Sequence, residues 1–288
     1  MLGKIKDHLI RKGTSGGPDF EHSEHYQVEA GSYRIDILQP GSIIQGTSGK
    51  YPSSVDLAHF DSHAVEVARE WRTGHRSVDI EVALWKYHQP KWYPIQHEPF
   101  ALATATWKIE QLKKPLPEAN TDSLEEYLKQ DYCEYVEGDD GVNWHIRQKT
   151  IAFFATREHL SAQDKVDAYY QSILDGSVDK KHLAAVLQDY ADNIDRDVES
   201  TKMHLPKGYQ VINHNNHSWV RYSWSYHGFR PERIYYCTPL GLNHQLVIEF
   251  SLVRMLPGTD KYWLTQAQAD FEKVVTGTTV QRLALPQD

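Results

Sequence analysis

Histidine most invites a chemical reading, because the chain carries 16 of them. His59 and His63 stand four apart, with Glu66 and Glu70 following. On a helix these side chains share one flank, and two imidazoles one turn apart can hold zinc with a carboxylate completing or orienting the site. The enzymatic expectation is therefore a metal-dependent hydrolase using His59, His63 and Glu66, with a divalent metal as cofactor. The plainer expectation is a solvated flank, with no cofactor. His214 and His217, in His-Asn-Asn-His, and His22 with His25 fit polar turns as readily as metal ligands.

Other short motifs are incomplete. Gly13-Thr-Ser-Gly-Gly17 has the form G-x-S-x-G, but a nucleophile elbow needs a strand before it and a helix after it. Here basic residues precede it and Pro18 follows, so residues 13–18 read as a linker. Gly46-Thr-Ser-Gly-Lys50 lacks the first glycine and the Ser or Thr that a phosphate loop requires. No G-x-G-x-x-G follows a strand, and H-E-x-x-H is absent. Cys133 and Cys237 form no C-x-x-C pair and read as two buried, reduced thiols.

Two other features suit recognition better than catalysis. Asp189, Asp192, Asp195, Asp197 and Glu199 crowd the end of a helix, where acidic groups oppose its dipole. Either Arg196 and Lys202 offset them or a basic partner docks there. Tyr (17) and Trp (8) far outnumber Phe (8), and both are enriched at interfaces. In the stretch 219–236, Trp219, Arg221 and Tyr235 are the expected exposed contact surface, unless both sheet faces are covered.

The elements that must position these residues follow from periodicity. Alternation predicts strands at 33–38, 78–84, 100–109, 219–226, 233–238 and 244–254, with a last one at 279–283. Phe60, Ala64, Val67 and Trp71 predict a helix over 55–72. Ser123 with Glu126 predicts a short helix at 124–130. Residues 132–137 and 142–148, around Gly138-Asp-Asp-Gly141, read as a hairpin, and 151–155 as another strand. A helical hairpin is expected over 161–199 and a helix over 261–275, closed by Gly277.

Strands cluster rather than alternate with helices. The expected class is α+β, with mostly antiparallel sheets in two β-rich parts separated by a helical hairpin. The expected boundaries are a basic segment and linker at 1–18, a first domain at 19–156, a connector at 157–200 and a second domain at 201–288. The formal charge is −8, which argues against nucleic acid. No apolar run approaches a membrane span and no secretory signal is evident, so a cytoplasmic location is expected.

Leu205-Pro-Lys-Gly-Tyr209, then antiparallel strands, a late helix and a last strand, make residues 201–285 resemble the Mog1/PsbP-type α+β sandwich. That resemblance implies a binding or chaperone-like module and supplies no catalytic residue. The leading expectation is a non-catalytic binding protein of adaptor, chaperone or immunity type. It would recognise a protein partner through Trp219, Arg221, Tyr235, Asp189, Asp192 and Asp195. The metal-dependent hydrolase is the alternative.

Overall fold

The computed structural model describes residues 15–41, 51–63, 65–66, 76–88, 99–157, 180–214, 217–224, 232–256 and 258–283. Strands β1 (Ser15–Gly16), β2 (Asp19–Ala30), β3 (Tyr33–Gly41), β4 (Ser54–Val55), β5 (Val65–Glu66), β6 (Arg76–His88) and β7 (Ala101–Gln111) come first. Helices α1 (Thr121–Glu137), α2 (Val142–Arg157) and α3 (Lys180–Thr201) follow. Then come β8 (Lys207–His214), β9 (His217–Trp224), β10 (Glu232–Pro239), β11 (His244–Arg254), α4 (Asp260–Thr276) and β12 (Thr278–Arg282). The chain is α+β with mostly antiparallel sheets, and helices lie along the chain between its β-rich parts.

The larger sheet has eight strands in the order β1-β6-β7-β11-β10-β9-β8, with β5 on β6. The smaller has the order β12-β3-β2-β4, and only β2 with β4 runs parallel among its pairs. The core lies where the large sheet, the small sheet and α4 meet. On β7, Ala103 stands opposite Trp85 and Ala105 opposite Phe250, so small residues make room for large neighbours. α4 is helical because Trp263, Ala267, Phe271, Val274 and Val275 recur on one face and are all buried. Gly277 closes it, donating its N–H to the Lys273 carbonyl at 2.9 Å. Its own carbonyl accepts from Leu38 N–H at 2.9 Å, tying the helix end to β3.

The strands expected at 33–38, 78–84, 100–109, 233–238 and 244–254, and the helix over 261–275, are all present. Several other expectations are corrected. Residues 132–137 and 142–148 are not a hairpin, and 151–155 is not a strand. α1 runs through to Glu137 and α2 starts at Val142. Leu124, Leu128, Tyr132 and Val136 are four apart and all buried, which is a helical row. The cap is Asn120, whose Oδ1 accepts the Ser123 N–H at 2.8 Å, not Ser123 itself.

The linker at 13–18 is in part β1, paired with β6 through Ser15 opposite His88 and Gly16 opposite Tyr87. A side chain on Gly16 would lie 2.3 Å from the Lys86 carbonyl oxygen, and φ there is +89°. Only glycine fits that approach.

The two β-rich parts are not separate bodies. β7 pairs with β11 along its length, and β12 pairs with β3. The chain divides instead into one unit of Met1–Lys129, Pro206–Ser225 and Arg230–Asp288, and a second of Gln130–Leu205 and Tyr226–Phe229. The first helix expected within 161–199 lies outside the described residues; α3 is the second. The helix over 55–72 is not formed in its described part. Residues 54–55 are strand, Phe60–Ser62 form one 3₁₀ turn, and 65–66 are strand. Cys133 is exposed and Cys237 buried, and both are free thiols.

Candidate functional site

The histidines disperse. His59 precedes the 3₁₀ turn and its Nδ1 lies 2.8 Å from the Asp56 carboxylate. His63 follows that turn and is exposed, while Glu66 is in β5 opposite Arg76. The helical stripe that was to bring His59, His63 and Glu66 together therefore does not exist. His22 pairs with Asp19 at 2.7 Å on β2. His217 shares a hydrogen bond with Thr238 at 2.7 Å, while His214 meets Glu272 at 3.1 Å. Among the described residues no group of three or more His, Cys, Asp or Glu is placed to hold a metal ion.

The aromatic surface is also corrected. Trp219 is 0% exposed and part of the central core, and Tyr235 is 3% exposed. Both faces of the β9–β10 pair are covered, since Trp219 and Val220 point to opposite sides and both are buried. On the second face Tyr209, Tyr222 and Tyr235 stack at 5.0 and 4.8 Å between ring centroids. Arg221 is held inward: its Nε donates to the Tyr236 hydroxyl at 3.2 Å, and that hydroxyl donates to Glu272 at 3.2 Å. Burial, then the Glu272 charge, pushes the Tyr236 hydroxyl up to about 12, so it stays protonated as a donor.

A buried ion network lies on the face of the large sheet that bears Tyr235. Lys108 Nζ sits 2.8 Å from Glu110 Oε1 and 2.9 Å from Glu249 Oε2. Arg233 reaches the other Glu249 oxygen at 2.8 Å, and Gln245 donates to Glu110 at 2.9 Å. β-Register builds the network: Glu249 faces Thr106 and Tyr235, while Gln245 faces Glu110. Burial would lower the Lys108 ammonium, but the adjacent Glu110 and Glu249 carboxylates outweigh it and hold the charge. Lys108 and Arg233 offset the carboxylates they touch, and the network joins β7, β10 and β11.

The helices of the second unit present acidic and aromatic groups to solvent. α2 and α3 pack on each other. α3 buries Ile194 and exposes Asp192, Asp195, Asp197 and Glu199. Asp189 is on the same helix, one turn earlier, and only its backbone is described. Asp195 is bridged to Arg147 of α2 at 2.9 Å, and Glu199 to Lys202. No basic residue occupies the last turn of α3. Three residues before Arg147, on the same side of α2, stands Trp144, 44% exposed. Sequence reasoning missed Trp144 because its segment read as a strand; a helical reading of 142–157 places Trp144 and Arg147 on one face.

No family model matches this chain, and no curated protein or solved structure matches it significantly. No helix among the described residues is long and apolar enough to cross a membrane.

Proposed function

We propose that this is a non-catalytic binding protein of adaptor, chaperone or immunity type, recognising a basic surface on a protein partner. One observation carries the reading. An exposed tryptophan on α2 stands within one turn of the Arg147–Asp195 bridge, beside a helix end lined by Asp192, Asp197 and Glu199. Carboxylates at a helix carbonyl end are repelled by its dipole, and a cationic partner relieves that repulsion. An exposed indole supplies the aromatic anchor on which interface energy concentrates. The resemblance of residues 201–285 to the Mog1/PsbP-type sandwich points to binding as well. A cytoplasmic location belongs to the same proposal.

The test is affinity capture from the native host with wild type, Trp144→Ala, and a charge variant carrying Asp192→Asn, Asp195→Asn, Asp197→Asn and Glu199→Gln. The reading expects a partner captured by wild type, released by moderate salt and lost in both variants, with unchanged thermal melting. Capture that survives in both variants contradicts it.

A further inference from the structure

His244, Gln111 and Arg76 stand side by side at one end of the large sheet, on β11, β7 and β6. All three point to the core side, because Leu246, Ile109 and Val78, two residues along each strand, belong to the core. Residues 56–63 lie across this row. Phe60, 2% exposed, sits against the His244 ring with centroids 4.9 Å apart. One residue on, Asp61 forms an ion pair with Arg76. The segment thus has two pins, one apolar and one ionic.

The apolar pin has a chemical weakness. His244 is 6% exposed, and its buried Nε2 has no hydrogen-bond partner. A neutral imidazole can leave Nε2 unprotonated there, at the cost of one unpaired acceptor and no charge. An imidazolium there has a buried N–H donor without an acceptor and a charge without water. The charged and titratable groups around it do not remedy this. Arg76, from β6, is a like charge. Asp61, on the overlying segment, is engaged by Arg76, which holds its carboxyl below the usual range. Asp56 on that segment is bound to His59, and His63 is exposed. β7 contributes neutral Gln111, and the β10–β11 turn contributes Leu240, Gly241, Leu242 and Asn243, with the Tyr33 hydroxyl near Gly241.

We propose that residues 56–63 form an acid-released strap: a proton on His244 unseats Phe60 and frees the segment from the end of the sheet. Burial also holds the His244 imidazole below its ordinary value of 6.5. The sign follows. The closed strap binds fewer protons at His244 than the open one, so closure is favoured above pH 6.5 and weakens as pH falls below it. The opening equilibrium then rises by as much as tenfold per pH unit until the closed state itself takes up the proton.

The test is hydrogen exchange of the full chain, read by mass spectrometry over residues 56–63 at pH 7.5 and 5.0 and corrected for intrinsic exchange. The protected amides there include Ser62, bonded to the His59 carbonyl, and His63, bonded to the Phe60 carbonyl, both at 3.0 Å. Wild type should open at least tenfold more at pH 5.0, and His244→Phe should change less than twofold. His244→Gln carries the same test if the phenylalanine variant does not fold. Asp61→Asn, which removes the ionic pin and keeps His244, should open more at both pH values with the wild-type acid response. An acid response retained without His244, or absent from wild type, overturns the proposal.

Discussion

Lys108→Met should be among the most damaging single substitutions in the sheet. Its ammonium lies 2.8 Å from Glu110 and 2.9 Å from Glu249, and all three side chains are under a tenth exposed. After the substitution Glu249 still meets Arg233 and Glu110 still meets the Gln245 amide, but both buried carboxylates lose the Lys108 ammonium. Breaking a buried pair by removing one partner costs about 3–5 kcal/mol, because the other charge stays behind in a poor solvent. Against a total stability of about 5–15 kcal/mol that is a large fraction. At about 2–4 °C per kcal/mol for a larger domain, the melting point should fall by roughly 6–20 °C. Urea unfolding at pH 7 measures the loss as a lowered midpoint at constant slope. Adding Glu110→Gln should recover at least half of it, since one of the two carboxylates beside the missing ammonium is then neutral. The defect should also shrink on acidification. Removing the Lys108 charge favours the neutral forms of the buried carboxylates beside it, so the native state gains protons, and stability, as pH falls. A loss below about 1 kcal/mol at pH 7, or a defect that grows on acidification, would refute the reasoning.

Three further outcomes follow from single contacts. Gly16→Ala should destabilise by about 1–3 kcal/mol in thermal melting, because its side chain meets the Lys86 carbonyl at a positive φ. Asn120→Ala should cost about 1 kcal/mol and increase exchange of the first α1 amides, since the Asn120 side chain caps Ser123. Burial raises the Asp270 carboxyl above its ordinary 3.8, against hydrogen bonds from Gln266 and Tyr87. The folded state therefore binds more protons there than the unfolded state. The stability difference between wild type and Asp270→Asn should move in favour of wild type as pH falls from 7 toward 4. A difference independent of pH would exclude that shift.

The sequence made the fold class legible where one face of an element is buried and the other is not. β6 alternates apolar with polar residues over most of its length, and α4 keeps a single apolar face. It misled where a local pattern pointed to the wrong element. The run 132–137 read as a strand because Gly138-Asp-Asp-Gly141 has the form of a hairpin loop, yet Tyr132 and Val136 continue the fourfold row of Leu124 and Leu128. Phe60, Ala64, Val67 and Trp71 have helical spacing, but the chain at Phe60 turns once in 3₁₀ form to place that ring on His244. Long-range pairing was invisible: Lys108 and Glu249 are 141 positions apart, and nothing local announces that β11 joins β7. For the same reason nothing local announced the buried network that Lys108 and Glu110 form with β11. At the candidate site, the acidic helix was legible from its charges alone. Trp144 was not, because its exposure depends on the helix that replaced the expected hairpin.

The central claim is that α2 and α3 present a protein-binding surface, and site-specific photo-crosslinking in living host cells tests it most directly. A photoreactive residue would be placed at position 144, at 192, and at exposed position 281 on β12 as the control. The account predicts a discrete adduct of the same partner from 144 and 192 and none from 281. No adduct from 144 or 192, or equal labelling from all three positions, would contradict it.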